Sequence, residues 1–233
     1  MTDADRRGPD EDRERDPSGE SDTPSAATLT RALRAGVAVY DIGEYHAAHD
    51  AWEECWLDLP TGSDDERLLH GLIQFTAAVY HARRRNWSGA TGLAESAGEY
   101  LADLPGDYRG VNLAGVRRYL AVLHADPEVI ERRPPLALRV DGERLRPAEL
   151  DFETAAVAAE IVAGEYDAFD AERIARAVEV AREEVSEGTE TRFTALVMDF
   201  ADDTVNRGLV YQRLTSHLAR REREASDVEG LFD

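Results

Sequence analysis

The pattern that decides the fold lies in residues 44–56, which read EYHAAHDAWEECW. Its aromatic and histidine side chains recur at steps of four, three and four residues, the spacing of one face of an α-helix: Tyr45, His49, Trp52 and Trp56. The stretch 60–64, with Pro60 and Gly62, is typical of a turn and predicts the end of this helix. Residues 44–56 therefore predict one helix, and the stretches on either side extend the pattern.

Helical spacing marks both neighbours of this segment. A preceding helix is predicted from Leu29 to Gly43, because large apolar residues recur there every three or four positions. A third helix, about 65–85, is apolar on nearly all sides and is therefore expected in the middle of a bundle. A fourth is predicted to start at Ser88 and a fifth at Asn112, since both residue types are favoured as N-caps.

The second half of the chain returns to helices after a short interruption. An Asp-Gly pair between apolar residues indicates a small hairpin near 136–146. Asp151 is expected to open another helix, and 170–224 shows helical spacing, although 193–200 fits a helix or a strand. The predicted fold class is all-α, an antiparallel helical bundle with a short hairpin-like insertion near 136–146 and additional C-terminal helices.

Composition divides the chain into four parts. Residues 1–26 hold no large apolar side chain beyond Met1, so they cannot offset the entropy of ordering and predict a disordered acidic tail. Residues 27–165 are predicted to form a helical-bundle domain, 166–225 a C-terminal helical extension and 226–233 a second disordered tail. The extension can cover the bundle, form a dimer or make a second helical domain, and a homo-oligomer is compatible with the sequence.

The charge is strongly unbalanced. The 27 basic residues are all Arg and face 48 acidic residues, a formal charge of −21. Such a chain repels polyanions, which excludes a nucleic-acid partner. Adaptation to multimolar salt explains the acidic excess, because a Debye length of about 3 Å at 1 M screens the self-repulsion. A GC-rich genome also explains Arg in place of Lys, but codon bias alone does not explain the excess of acids.

The remaining composition indicates a soluble cytoplasmic protein. Cys55 is the only cysteine, so no intramolecular disulfide is expected, and a reducing compartment fits. The first residues are Asp, Arg and Glu, which do not resemble a secretory signal. The longest apolar run, 72–80, is far shorter than the roughly 20 residues that span a bilayer. We therefore expect no membrane partner.

Polar residues on the second and third helices form the candidate site. Residues three and four apart share a helical face, so the second helix carries one polar patch: His46, His49, Asp50 and Glu53. The third helix carries a polar stripe on otherwise apolar surface: His70, Gln74 and His81. A buried polar group without a partner costs about 1–3 kcal/mol. We therefore expect His49 and Glu53 of the second helix to face Gln74 and His81 of the third across the helix interface.

Two interpretations fit this spacing. Two histidines and a carboxylate, with an open position for water, suit Zn²⁺, Mn²⁺ or Fe²⁺, and the candidate metal ligands are His49, Glu53 and His81. A hydrogen-bond network of the same side chains satisfies every group as well and would only lock the bundle. Cys55, between Glu54 and Trp56, is interpreted as a packed small hydrophobe.

These motifs resemble a known family of small helical proteins, domain of unknown function family 309. The resemblance rests on the 44–56 segment, on Gly71-Leu72-Ile73-Gln74, on His81 and on Asn86-Trp87-Ser88-Gly89-Ala90. It covers about 30–104, with weaker similarity through 165. Four residues correspond by position to the family's polar motif: His49, Glu53, Gln74 and His81. His46 stands where the family usually has an aromatic residue, and Asp50 where it has Glu.

The resemblance implies an uncharacterised protein that is sometimes labelled a predicted metal-dependent hydrolase, here a haloarchaeal-type member. In that case the metal would activate water against an unknown small-molecule substrate, and Asp50 or Gln74 would orient or deprotonate the water. The alternative is a non-enzymatic scaffold or protein-interaction module, in which the His/Glu/Gln cluster is structural and a protein partner binds the exposed faces.

Overall fold

The computed structural model describes residues 23–188 and 192–229, with side chains to Glu224. These ranges are all-α and contain no β-strand, which confirms the predicted fold class. The helices are α1 (Ala26–Asp41), α2 (Ala47–Leu57), α3 (Asp64–Arg83), α4 (Trp87–Leu101), α5 (Leu113–Ala125), α6 (Val129–Arg132), α7 (Phe152–Glu165), α8 (Ala171–Ser186), α9 (Arg192–Asp202) and α10 (Arg207–Glu229).

The first two helices pack through a glycine and a tryptophan. Trp52 of α2 is completely buried, and its indole Nε1 donates to the carbonyl of Leu33 in α1 at 3.4 Å. A Cβ at Gly36 would lie only 2.4 Å from the Trp52 indole, so the ring occupies the space that a side chain at position 36 would need. This contact brings the two helix backbones close and sets which face of α2 is buried.

Helix α3 lies between α2 and α4, as its apolar surface predicts. Ser63 caps its start by accepting from the backbone N–H of Glu66 at 3.2 Å. Phe75 is fully buried in the middle of the helix. Gly71 permits close packing on α4, because a Cβ there would lie 2.5 Å from the Leu101 side chain.

Two predicted caps differ in the structure. Helix α4 is capped by Asn86 and not by Ser88, because the Asn86 side chain accepts from the backbone N–H of Gly89 at 3.1 Å. Helix α5 begins after Asn112 as predicted, but the Asn112 side chain does not cap it. That amide instead bonds to the backbone of Ala137 at 3.3 Å and of Arg139 at 2.9 Å.

The hairpin predicted near 136–146 is reduced to a turn. Asp141 and Gly142 both have positive φ, and Val140 and Glu143 form an isolated bridge around them. No strand extends from it, because side chains satisfy the backbone of this segment. The Asn112 amide bonds to the backbone of this segment, as described above. The buried carboxylate of Asp41 also accepts from the Leu138 N–H at 3.0 Å.

The C-terminal helices pack onto α7. Asp151 caps α7 as predicted, accepting from the Thr154 N–H at 3.0 Å. Residues 193–200 lie within α9, so this stretch is a helix and not a strand, and α9 packs against α7, α8 and α10. Helix α10 continues to Glu229, which carries it into the stretch 226–233 that was expected to be a tail. Residues 1–22 of the predicted N-terminal tail lie outside the described residues.

A buried ion pair connects the two ends of the fold. Glu44, in the turn before α2, accepts from Arg207 at the start of α10 at 2.5 Å, and the two side chains are only 13% and 6% exposed. Arg207 also donates to the carbonyl of Phe200 at 3.0 Å. The Tyr166 hydroxyl donates to the second Glu44 oxygen at 2.5 Å, and burial, together with this carboxylate, raises the pKa of Tyr166 to about 12. The C-terminal helices are thereby bonded to the segment that decides the fold.

No helix among the described residues is both long and apolar enough to cross a membrane.

The contact of Gly36 with Trp52 gives a direct test of the packing. Gly36→Ala is expected to lower the free energy of unfolding by about 1–3 kcal/mol, because a methyl group cannot enter the buried contact without displacing the indole. The measurement is chemical denaturation followed by Trp fluorescence. Gly92→Ala is the matched control: a Cβ at Gly92 meets nothing within 4 Å, so this change should stabilise α4 by about 0.5–1 kcal/mol. Equal effects of the two substitutions would contradict the packing described.

Candidate metal centre

Helix α2 separates its apolar and polar side chains. Its buried residues are Ala47, Ala48, Ala51, Trp52 and Cys55. Since these face α1, α3 and α7, the remaining positions present His49, Asp50 and Glu53 on the open side. One ligand atom from each of these three residues lies within 4.8 Å of the others. The buried face of α2 therefore orients a compact His/Asp/Glu group towards solvent.

His49 is held by its neighbour in this group. Its Nε2 lies 2.8 Å from Oδ1 of Asp50, and the two side chains are 23% and 42% exposed. The hydrogen bond to Asp50 raises the pKa of His49, with a further contribution from the charge of Glu53, and outweighs the opposing effect of burial. The carboxylates thus make this imidazole more attractive to a proton and, for the same reason, to a metal cation.

His46 lies beside the group without joining it. Its Nδ1 is 2.7 Å from a carboxylate oxygen of Glu165, at the end of α7. Its ring stands edge-on to that of His49, with centroids 4.8 Å apart, and lies 4.9 Å from the Tyr80 ring. The predicted polar patch on α2 is therefore divided, because Glu165 engages His46 and leaves His49 with Asp50.

The structure places Gln74 in a different cluster. Its Nε2 lies 3.0 Å from Nε2 of His70, one turn earlier on α3. The His70 ring packs on Tyr100 and Trp56, with centroids 3.9 and 4.6 Å away, and its Nδ1 is 3.6 Å from Glu66. Burial lowers the pKa of His70 despite this carboxylate. A neutral imidazole that accepts from the Gln74 amide fits these contacts.

His81 also bonds within its own end of the bundle. Its Nδ1 accepts from Nδ2 of Asn86 at 2.8 Å, and Asn86 in turn caps α4. Among the described residues, His81 belongs to no group of three metal-ligating side chains. The five predicted site residues therefore occupy three places: His49, Asp50 and Glu53 together, Gln74 with His70, and His81 with Asn86.

Two participants near the candidate site carry no sequence signal. Glu165 lies 119 positions from His46, and Arg207 lies 163 positions from Glu44. Local spacing cannot predict such pairs, since only the packing of α7 and α10 brings them to α2. Cys55, by contrast, is a small buried side chain, as the sequence predicts. Its thiol forms no disulfide, and burial raises its pKa.

Comparison with known proteins finds a family match over the helices that carry the candidate site. Residues 33–93 match the family described as Domain of unknown function (DUF309). This DUF309 segment runs from α1 into α4 and contains all five predicted site residues, whereas α5 to α10 lie beyond it. Residues of the chain are also 25% identical, over 111 positions, to an uncharacterized protein of Aquifex aeolicus (strain VF5).

The alignment with the Aquifex protein covers 48% of this chain and 33% of the relative, so the chain spans about a third of that protein's length. Both comparisons support the resemblance to DUF309. The family match places the candidate metal centre within residues 33–93, and the Glu44–Arg207 pair joins this segment to α10.

Proposed function

We propose that this protein binds a divalent metal on the open face of α2 and is a metal-dependent hydrolase. The observation that carries the proposal is the His49, Asp50 and Glu53 group, whose ligand atoms lie within 4.8 Å of one another. Ligand atoms of one zinc ion lie about 3–4 Å apart, because each is roughly 2 Å from the metal. Asp50 and Glu53 are both exposed, so their carboxylates are free to rotate towards His49 when a metal binds.

The donor set suits a catalytic metal better than a structural one. One imidazole nitrogen and two carboxylate oxygens are ligands for Zn²⁺, Mn²⁺ or Fe²⁺, and three protein ligands leave a position open. A metal held there would supply Lewis-acid activation of water. His49 and Glu53 act as ligands in this proposal, and Asp50 either completes the set or orients water beside it. The substrate class proposed is a small molecule that reaches the open side of α2.

The site also has a neighbour that can hold a proton. The His46 imidazole is fixed by Glu165 at 2.7 Å and stands edge-on to His49. An imidazole bound to a carboxylate through Nδ1 has its other nitrogen available for proton transfer. In the hydrolase proposal, His46 therefore exchanges protons with water or substrate while Glu165 orients its ring.

Metal content is the test of this function. Untagged protein should retain about one divalent ion per chain, measured by plasma mass spectrometry, and His49→Ala and Glu53→Gln should each lose it because they remove the two ligands of the proposal. His124→Ala is the matched control, since His124 is exposed and, within the described ranges, bonds only to the Thr91 carbonyl. Because His49 must lose a proton to bind metal, occupancy should rise as pH increases through its raised pKa.

His81→Ala separates two ligand sets. Retention of metal in this variant supports the group on α2 alone, whereas loss in a folded variant supports the wider set of His49, Glu53 and His81. Wild-type protein without metal, or with metal that His49→Ala leaves in place, would contradict the proposal.

A structural scaffold is the second candidate, and one observation favours it. His81 and Gln74 already have hydrogen-bond partners in Asn86 and His70. The first bond joins α3 to the cap of α4, and the second holds the His70 ring, which packs on Trp56 and Tyr100. In this alternative the polar residues lock the bundle, and a protein partner binds the exposed faces. His49→Ala would then lower the free energy of unfolding without changing metal content.

We further propose that the protein is cytoplasmic and adapted to high salt, of the haloarchaeal type. The charge of −21, the absence of Lys and the single free Cys55 support this. Far-UV circular dichroism after desalting tests it. Helicity should fall below about 1 M salt, because self-repulsion is then unscreened. An unchanged spectrum would favour the GC-rich genome as the source of the composition.

A further inference from the structure

A cleft of about 530 Å³ lies where α8, α9 and α10 meet, outside the DUF309 segment. Its charged lining residues are Glu184, Arg192, Arg220, Arg221 and Glu224, and His217 completes the polar wall. Glu183 lies beside the cleft as a further partner of Arg221, so three arginines and three carboxylates gather here around His217.

The arginines differ in how their charge is balanced. Arg221 is bonded to Glu184 at 2.8 Å and to Glu183 at 3.3 Å, so two carboxylates neutralise it. Arg220 makes one exposed contact of 3.5 Å with Glu224. The Nη1 of Arg192 lies 3.3 Å from Nε2 of His217. Within the described part of the chain, Arg192 forms no ion pair with a carboxylate.

A second arginine-lined cleft provides the contrast. Beside Asp41, the guanidinium of Arg144 bonds to the Asp41 carboxylate and that of Arg146 bonds to both oxygens of Asp202. Those cations are compensated within the protein. At the cleft where α8, α9 and α10 meet, Arg192 instead bonds to the His217 imidazole, and Arg220 also lines the cleft.

We propose that this cleft binds a small phosphate dianion, either free or as a monoester, through Arg192, Arg220 and His217. The Arg192 guanidinium can donate to two phosphate oxygens, and His217 becomes a second donor when it is protonated. The side chains that face this imidazole come from all three helices: Arg192 of α9, Glu184 of α8, and Arg220, Arg221 and Glu224 of α10. A bound dianion supplies the anionic partner that Arg192 lacks among the described residues.

The properties of His217 agree with this assignment. Burial, together with the charges of Arg192 and Arg220, lowers its pKa. Its Nε2 is therefore an acceptor for Arg192 when no anion is bound. Phosphate would reverse this relationship, because a dianion beside the ring stabilises the imidazolium and raises the pKa of His217.

The test is an NMR titration of the His217 ring with inorganic phosphate, in sodium chloride at constant ionic strength and at a salt concentration where the protein is folded. Saturable shifts of the His217 signals, assigned with His217→Gln, are expected. Arg192→Gln should weaken phosphate binding about tenfold or more, since it removes a charge-assisted donor. A parallel titration with glycerol 3-phosphate distinguishes the monoester, which then binds more tightly, from free phosphate.

Arg213→Gln is the matched control, because Arg213 is an exposed arginine of α10 that does not line the cleft. It changes the net charge equally and should leave affinity within about twofold, as expected for a long-range effect screened by salt. Arg220→Gln repeats the test if Arg192→Gln does not fold. The proposal would be overturned if no saturable shift were seen. It would also be overturned if the cleft variants, Arg192→Gln or Arg220→Gln, bound phosphate as tightly as wild type.

Discussion

The buried ion pair between Glu44 and Arg207 is the interaction on which the arrangement of the two halves of the fold depends. These halves are residues 27–165 and the C-terminal helices α8 to α10. Removing one partner of such a pair leaves an uncompensated charge in the interior, which typically costs about 3–5 kcal/mol. Here the pair is also well satisfied, because Tyr166 donates to the carboxylate and Arg207 donates to the carbonyls that end α9. A cation at the C-terminus of a helix is favourable in itself. One polar contact therefore joins the turn before α2 to the first residue of α10.

This constraint explains why α2 presents a defined surface. The helix is packed on α1 through Gly36 and Trp52, on α3 along its aromatic side, and on α7 near Glu165. With three sides covered, its polar residues can only occupy the fourth. The candidate metal group is thus a consequence of packing, and the C-terminal helices contribute to it by holding α7 and its Glu165 in place. The predicted division at residue 165 stays a prediction, although contacts of α7 with α9 cross it.

Much of the fold could be predicted from the sequence because helical periodicity is local. The spacing in 44–56 predicts α2, although the helix begins only at Ala47, and the central position of α3 follows from the order of its apolar residues. Helix caps are harder to predict, since Asn86 and Ser88 are both suitable residue types and only the backbone conformation decides between them.

The candidate site could be predicted where its members share one helical turn, as His49 and Glu53 do. Gln74 could not be placed, because His70 on its own helix competes for the amide, and Glu165 and Arg207 are too distant in sequence.

A double-mutant cycle on Glu44→Gln and Arg207→Met tests most directly whether the two halves form one cooperative structure around this pair. Chemical denaturation in high salt would be followed by circular dichroism and Trp fluorescence. Each single change should lower the free energy of unfolding by about 3 kcal/mol or more. The double variant should lose clearly less than the sum, by at least about 1 kcal/mol, in a single transition. Effects that add within about 0.5 kcal/mol, or two separate transitions in wild type, would contradict the account.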